Sequence, residues 1–536
     1  MNSLDLSAVE DRTLVHVLRM QAERAGDLVF LQDETRQLSF AEVNRRVNAL
    51  ARGLAQLGVG RGDRVCFFMG AAIEVVLLVL AINKLGAVWI PINTDYKGDW
   101  LQDLLRSSQA KVIVVDEPLS GRLGRVIENV PHEHVVLFGA TAVDALPGAI
   151  PFEGLLNAPD DEPDLSNIRY GDVSAVLWTS GTTGKSKGVM QSHNVWIRAA
   201  EHVNYESRPG DSVYSIMPTY NTAAWTSNIF RALVEGLPCA IDPKFSVSSF
   251  WDRLRRFNAT QTFTLGAMHM FLWNQPERDD DAANPLRIAG MVPMPDALIG
   301  PFCERFGIER ILQGFGQSET GSIITRSLST ASRAFKPGAL GVAHDDVEIR
   351  LVDDDHADVP TDTPGEALVR GRTPHVIFEG YFDNPDANAA SIQGGWFHTG
   401  DLLRCDEDGD YYFVDRKKDA IRSKGRNIST IEVEQAVSRH PAIERVAAYG
   451  ITCEHLDAEQ DLALAIVLKD SVTLTEPELA RFINDNAPYF FVPRYIEFVD
   501  TLPYTPTGKV RKIELRQRGC TPAMWDRTAD SFVLER

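Results

Sequence analysis

Val-Ser-Ala-Val-Leu-Trp, residues 173–178, runs directly into Thr-Ser-Gly-Thr-Thr-Gly-Lys-Ser-Lys-Gly, residues 179–188. The first six residues have the β-branched, apolar character of a buried strand. The next ten hold three glycines, two lysines and a run of hydroxyls. Glycine lets a backbone turn tightly and bring its N–H groups against an anion. The hydroxyl and ammonium groups add further donors. A buried strand that delivers so many donors predicts a loop that cradles a polyphosphate.

Upstream of this loop, apolar runs alternate with a helical pattern. RVCFF (64–68), AVWIPI (87–92), KVIVVD (111–116) and HVVLF (134–138) read as buried strands. Residues 73–85 read as a helix between two of them. This alternation predicts an α/β fold of parallel sheets covered by helices. The apolar run 66–82 contains Gly70 and has Glu74 at its centre. A charge at mid-membrane costs about 3 kcal/mol, so the run predicts a strand entering a core helix, and no membrane span. Residues 157–164, NAPDDEPD, read as a surface loop, and Asp279–Asp281 and Asp353–Asp355 as solvated loop tips.

The pattern changes near 404–418, where turn residues and a strand lead into the charged run Asp415 to Asp419. We place a boundary there. Residues 1–417 form a large domain of parallel α/β sheets with a small β-barrel-like subdomain. Residues 418–536 form a smaller α+β domain.

The formal charge is 54 − 74 = −20, which disfavours nucleic acid and anionic membranes as partners. The six cysteines show no CxxC spacing, and the N-terminus lacks a basic-then-apolar leader. Both features predict a reducing, cytoplasmic setting.

The glycine-rich loop admits two readings. A Walker A loop has the form G-x-x-x-x-G-K-[ST]; Gly184-Lys185-Ser186 fits its end, but Thr179 stands where the first glycine belongs. The loop also resembles T-S-G-T-T-G-x-P-K-G, with Ser186 in place of proline. Four further segments follow in order. They are Gly314-Phe315-Gly316-Gln317-Ser318-Glu319, Gly395-Trp396-Phe397-His398-Thr399-Gly400-Asp401, Arg416-Lys417-Lys418-Asp419 and Pro503-Tyr504-Thr505-Pro506-Thr507-Gly508-Lys509. Together they resemble the adenylate-forming superfamily of acyl- and aryl-CoA synthetases, adenylation domains and beetle luciferases. The likeness spans about residues 12–515 and is greatest to acyl-CoA synthetases.

The resemblance implies two half-reactions. A carboxylate attacks the α-phosphate of ATP, pyrophosphate leaves, and the acyl group then passes to coenzyme A. Thr179, Ser180, Gly181, Thr182, Thr183 and Gly184 would hold the β- and γ-phosphates, with Lys187 nearby. Glu319 would bind Mg²⁺ and Ser318 would reach the α-phosphate. Phe315 would stack on adenine beside Gly316, and Asp401 would accept from the ribose hydroxyls with Arg416 adding a donor. Lys509 would bridge the carboxylate and α-phosphate. The small domain would then rotate about Lys418, and Gly425 would line the thiol tunnel. The basic segment 416–426 would meet the phosphates of coenzyme A.

The acyl pocket departs from the family pattern. Asn221 follows Tyr220 where amino-acid-activating domains usually carry aspartate, so an α-amino acid is disfavoured. Trp225 is a candidate wall or gate, with a plain core position as the alternative. Gly290 and Met291 stand where the family has paired glycines, and Gly314 completes the set. The resemblance implies an altered pocket for a bulky or unusual apolar acid, as in fatty or unusual carboxylic acid metabolism. One alternative is a stand-alone adenylating enzyme that loads a separate carrier protein, since only 27 residues follow Lys509. The other is a Walker-type ATPase. A homodimer is left open.

Overall fold

The four apolar runs become the middle of one sheet, as their composition predicts. The sheet runs Ile150–Pro151, His134–Phe138, Val112–Asp116, Arg64–Phe68, Val88–Pro91, Val173–Thr179, Lys187–Ser192. Every neighbouring pair is parallel except the last. These strands belong to a computed structural model. It describes residues 4–140, 144–179, 186–203, 205–326, 336–417, 419, 421–423, 426–452, 460–487, 489–504, 510–530 and 532–534.

The antiparallel last pair decides between the two readings of the glycine-rich loop. Thr179 pairs with Lys187, so the loop connects two strands. A Walker loop leads from a strand into a helix, whereas the next helix here begins only at His193. The Walker reading is overturned by this topology.

The chain divides into two compact units, residues 1–348 with 369–397 and residues 349–368 with 398–536. The first also holds a second sheet, ordered Arg310–Leu312, Ile288–Val292, Gln261–Leu265, Val213–Ser215, Cys239–Ile241, Val29–Gln32, Gln37–Ser39. It is parallel except for its final pair. The strands of the barrel-like subdomain belong to an eight-stranded sheet. Its strands in the first unit include the antiparallel run Gly314–Gln317, Gly321–Thr325 and Ala339–Ala343.

The helix Ile73–Lys84 is buried along its whole length, as a helix without a polar face must be. Among the described residues no helix is long and apolar enough to cross a membrane. Its polar ends are partnered. Glu74 pairs with Arg36. Lys84 Nζ donates to Asn44 Oδ1 (2.8 Å), Asn48 Oδ1 (2.6 Å) and Glu162. Burial pushes the Lys84 ammonium down to about 8. The loop at 157–164 thus contributes Glu162 to an interior network. A second acidic tip is also less solvated than its sequence suggests: Asp281 is buried and accepts from Arg305 Nε at 2.7 Å.

His193 opens the helix His193–His202 and is 1% exposed. Burial pushes its imidazole down to about 4 from a usual 6.5. Between these values the unfolded chain binds a proton that the folded chain refuses, so stability falls as pH drops below 6.5. Its share of the loss between pH 7 and 5.5 is about 1 kcal/mol. Thermal melts of His193→Asn are expected to show a shallower pH dependence over that window. An unchanged slope would contradict this.

The second unit is α+β, as predicted. Ile443–Thr452 and Gln460–Leu468 pair antiparallel, and Tyr495–Phe498 joins the latter in parallel. Val433, Val437, Leu479 and Ile483 from the helices Thr430–Ser438 and Glu476–Asn486 share one core with Ile466 and Ile496. Ser429 and Thr475 cap these helices, with Glu478 completing a capping box at Thr475.

Candidate active site

The strand that follows the glycine-rich loop acquires a neighbour from far along the chain. Met190 N donates to Gly380 O (3.0 Å) and Phe382 N to Gly188 O (2.7 Å). This register sets Tyr381 beside Lys187, whose Nζ lies 4.7 Å above the phenol ring. Tyr381 is 5% exposed, and its hydroxyl donates to Glu319 Oε1 at 2.9 Å. Burial and the adjacent carboxylate raise the phenol well above its ordinary range. Tyr381 therefore stays a neutral donor that fixes one oxygen of Glu319.

The turn carrying Ser318 and Glu319 lies between two antiparallel strands. Gly316 is required there, because a Cβ would stand 2.2 Å from the Gly321 carbonyl oxygen. Phe315 is half-buried on the same strand, which Gly314 begins. Phe378 N donates to Glu319 O at 2.8 Å. Ser318 Oγ lies 2.8 Å from Thr222 Oγ1, and Gln191 Nε2 donates to Ser318 O. Lys187, Ser318, Glu319 and Tyr381 thus form one connected group at the glycine-rich hairpin. Thr179 is at the hairpin's edge, with Oγ1 3.4 Å from Lys187 O. Ser180, Gly181, Thr182, Thr183 and Gly184 lie outside the described residues.

The Ser318–Thr222 contact brings in the segment predicted to meet the acyl group. Tyr220 and Asn221 are half-buried beside Thr222. Burial, then Asp95 and Tyr96, push the Tyr220 phenol up to about 12. Trp225 takes the plain core position that the sequence left open beside a wall or gate. It is fully buried, donates from Nε1 to Thr219 O at 2.7 Å, and packs on Trp89 and Phe230 with ring centroids 4.9 Å away in each case. Met291 is likewise a core side chain, fully buried among Phe250, Phe302 and Phe306. Gly290 faces the other way, where a Cβ would lie 2.4 Å from the Tyr205 hydroxyl.

In the second unit, Asp401 and Arg416 are register partners across Trp396–Cys405 and Tyr411–Arg416. Asp401 is 4% exposed, and Arg416 Nε lies 3.7 Å from its Oδ1. The predicted ribose pair is therefore together. Lys417 departs from the predicted basic face, since its Nζ is paired with buried Glu366 (2.9 Å) and with Asp354 (3.3 Å). Lys418, Gly425 and Lys509 lie outside the described residues.

Tyr381, Thr222, Gln191 and Glu366 were not legible as site residues. Tyr381 sits in a Gly-Tyr-Phe run with no spacing signal, and only strand pairing brings it to Glu319.

Residues 18–382 match the family model described as AMP-binding enzyme, and residues 432–509 match the AMP-binding enzyme C-terminal domain. The chain belongs to this family. Among the relatives of this AMP-binding enzyme is the crotonobetaine/carnitine–CoA ligase of Salmonella agona (strain SL483). It is 31% identical over 495 residues, which cover 90% of this chain and 93% of the relative. The solved anthranilate CoA ligase AuaEII, in complex with anthranoyl-AMP, superposes with a TM-score of 0.83 at 25% identity, covering 94% and 97% of the two chains. The benzoate CoA ligase of Burkholderia xenovorans LB400 shares the fold with a TM-score of 0.80 at 22% identity, covering 94% and 99%. This AMP-binding enzyme is an acyl-CoA synthetase that forms AMP, with ATP, coenzyme A and a small carboxylic acid as reactants.

Proposed function

We propose that Lys187, Ser318 and Glu319 handle the phosphates of ATP, with Thr179–Gly184 as the phosphate loop. Joining a carboxylate to the α-phosphate brings two anions together, so fixed donors must offset their repulsion. The observation that carries this reading is the Tyr381–Glu319 hydrogen bond beside Lys187 at the glycine-rich hairpin. The carboxylate of Glu319 and the hydroxyl of Ser318 are hard oxygen donors of the kind Mg²⁺ takes. When bound, that ion supplies charge neutralisation at the phosphates.

Asp401 is a purely accepting group suited to a vicinal diol, and Arg416 stands beside it as a donor. Phe315 offers a ring face for adenine. Lys509 acts on the α-phosphate in the first half-reaction. Residues 418–536 then turn about Lys418, so that Gly425 lines the path of the thiol. Coenzyme A is the acceptor rather than a carrier protein, and we propose no homodimer. A cytoplasmic setting suits the free cysteines Cys66, Cys239, Cys303, Cys405 and Cys520.

For the acid, the core position of Met291 removes it as an argument for a bulky apolar chain. Asp95 and Tyr96 both act on the Tyr220 phenol. Tyr96 in turn pairs with the exposed Trp100, with ring centroids 6.1 Å apart. Aromatic faces with a nearby carboxylate suit a quaternary ammonium. The relatives named crotonobetaine/carnitine–CoA ligase point the same way. The acid is therefore a short carboxylate bearing a quaternary ammonium group. Pyrophosphate release should be measured with crotonobetaine, carnitine, benzoate and anthranilate, with and without coenzyme A. The first two are expected to give the highest kcat/KM. Preference for benzoate or anthranilate would overturn this substrate class.

A further inference from the structure

We propose that Arg198 is a positioning residue for the Ser318–Glu319 turn, clamped in place by His344 and Asp346. The inference rests on the proposed role of Glu319. Arg198 lies on the helix His193–His202 and is 1% exposed. A guanidinium has five N–H donors, and five bonds occupy them. NH1 donates to Thr320 O (3.3 Å) and Ser322 O (3.0 Å). NH2 donates to His344 Nδ1 (3.2 Å) and Asp346 Oδ1 (2.8 Å), and Nε to Asp346 Oδ2 (2.5 Å).

Two of these bonds hold the backbone just after Glu319. Thr320 is fully buried and accepts at Oγ1 from Gln317 N at 3.0 Å. Gly321 has φ +60, and a Cβ there would stand 3.4 Å from the Ala199 Cβ on the same helix as Arg198. The turn is thus braced by Arg198, Gln191, Thr222 and Tyr381. A metal-binding carboxylate flanked by a braced backbone cannot drift, and misplacement of a reacting group by about 1 Å can cost about 10² in rate.

His202, His344 and Asp346 place three ligand-type atoms within 4.8 Å, which invites a metal-site reading. The hydrogen bonds argue against it. Arg198 cannot accept, so His344 Nδ1 is the acceptor, and its Nε2–H faces Thr325 Oγ1 at 3.1 Å. Burial, then His202 and Arg198, push His344 down to about 3, so it is neutral at pH 7. Both of its nitrogens are committed, and a cation would sit against the guanidinium. His202 stacks on His344 at 4.1 Å and reaches Asp346 Oδ2 at 3.1 Å. The cluster is a clamp for Arg198.

The test uses the full-length enzyme and the variants Arg198→Met, Arg198→Lys, Asp346→Asn and Glu319→Gln. Pyrophosphate exchange with the best acid of the substrate panel is measured against Mg²⁺ concentration. Mn²⁺ binding in the presence of ATP is followed by electron paramagnetic resonance, and folding by circular dichroism. For Arg198→Met, turnover is expected to fall about 30–100-fold, following the misplacement cost. Its half-saturating Mg²⁺ should rise about tenfold and Mn²⁺ binding should weaken equally, one factor of ten corresponding to one lost charge-assisted contact. The KM for the acid should change little. Arg198→Lys should recover part of the loss. Asp346→Asn should move in the same direction by less, and it decides the matter if Arg198→Met does not fold. A folded variant with normal turnover and normal metal dependence overturns the proposal, as does lost turnover with unchanged metal dependence. Normal turnover in Glu319→Gln overturns the reading of Glu319 and this proposal together; impairment of Glu319→Gln alone overturns only the role of Arg198.

Discussion

Glu319→Gln is expected to slow acyl-adenylate formation by about 10²–10³-fold, the scale of loss seen when one preorganised electrostatic group is removed from an active site. Glutamine keeps the shape and can still accept from the Tyr381 hydroxyl, which donates to Glu319 Oε1 at 2.9 Å. What it loses is the negative charge that a divalent cation needs. Folding should therefore be unaffected. Tyr381→Phe keeps that charge and removes only the bond that aims it. A hydrogen bond to a charged group is worth about 1.5–3 kcal/mol, so its rate should fall by about 10–100-fold. The order of severity distinguishes a charge effect from an orienting effect. Initial rates of ATP–pyrophosphate exchange measure both, and a Glu319→Gln variant at the wild-type rate would remove Glu319 from the chemistry.

Lys509→Ala should abolish adenylation yet leave the second half-reaction intact. The ammonium of Lys509 is assigned to the charge that shifts from carboxylate to α-phosphate. Thiol attack on a finished acyl-adenylate has no need of it. The exchange rate should drop at least 10²–10³-fold, while thioester formation from supplied acyl-adenylate proceeds normally. Gly425→Leu should show the opposite pattern, because a bulky side chain would block the thiol and leave adenylation alone. If both variants lose both half-reactions equally, a small domain that serves each step in turn is the wrong picture.

The features legible in the sequence were those with short-range signatures. The strands Arg64–Phe68 and His134–Phe138 end where their β-branched runs end, since local composition and burial agree there. The Ser318–Glu319 turn and the Asp401–Arg416 strand pair were legible because each lies in segments that resemble a family pattern. Tyr381 and Arg198 were not. Tyr381 reaches Glu319 across 62 positions, and Arg198 reaches Asp346 across 148. Such distances are closed by strand pairing and helix packing, which leave no spacing to read. Met291 was not placed by its sequence for a related reason. Alternation along a strand turns Met291 to the core face while Gly290 meets Tyr205, and the facing direction depends on a register that the residues alone do not set. Asp281 looked like a solvated tip because its partner, Arg305, lies 24 residues away on a helix.

This enzyme cleaves ATP between the α- and β-phosphates to activate a carboxylate for coenzyme A. The most direct measurement is the nucleotide product of a single turnover with crotonobetaine or carnitine, coenzyme A and Mg²⁺-ATP. AMP, pyrophosphate and acyl-CoA are expected in equal amounts, with AMP formation depending on the acid. ADP and inorganic phosphate as products, or ATP cleavage at the same rate without any acid, would contradict it.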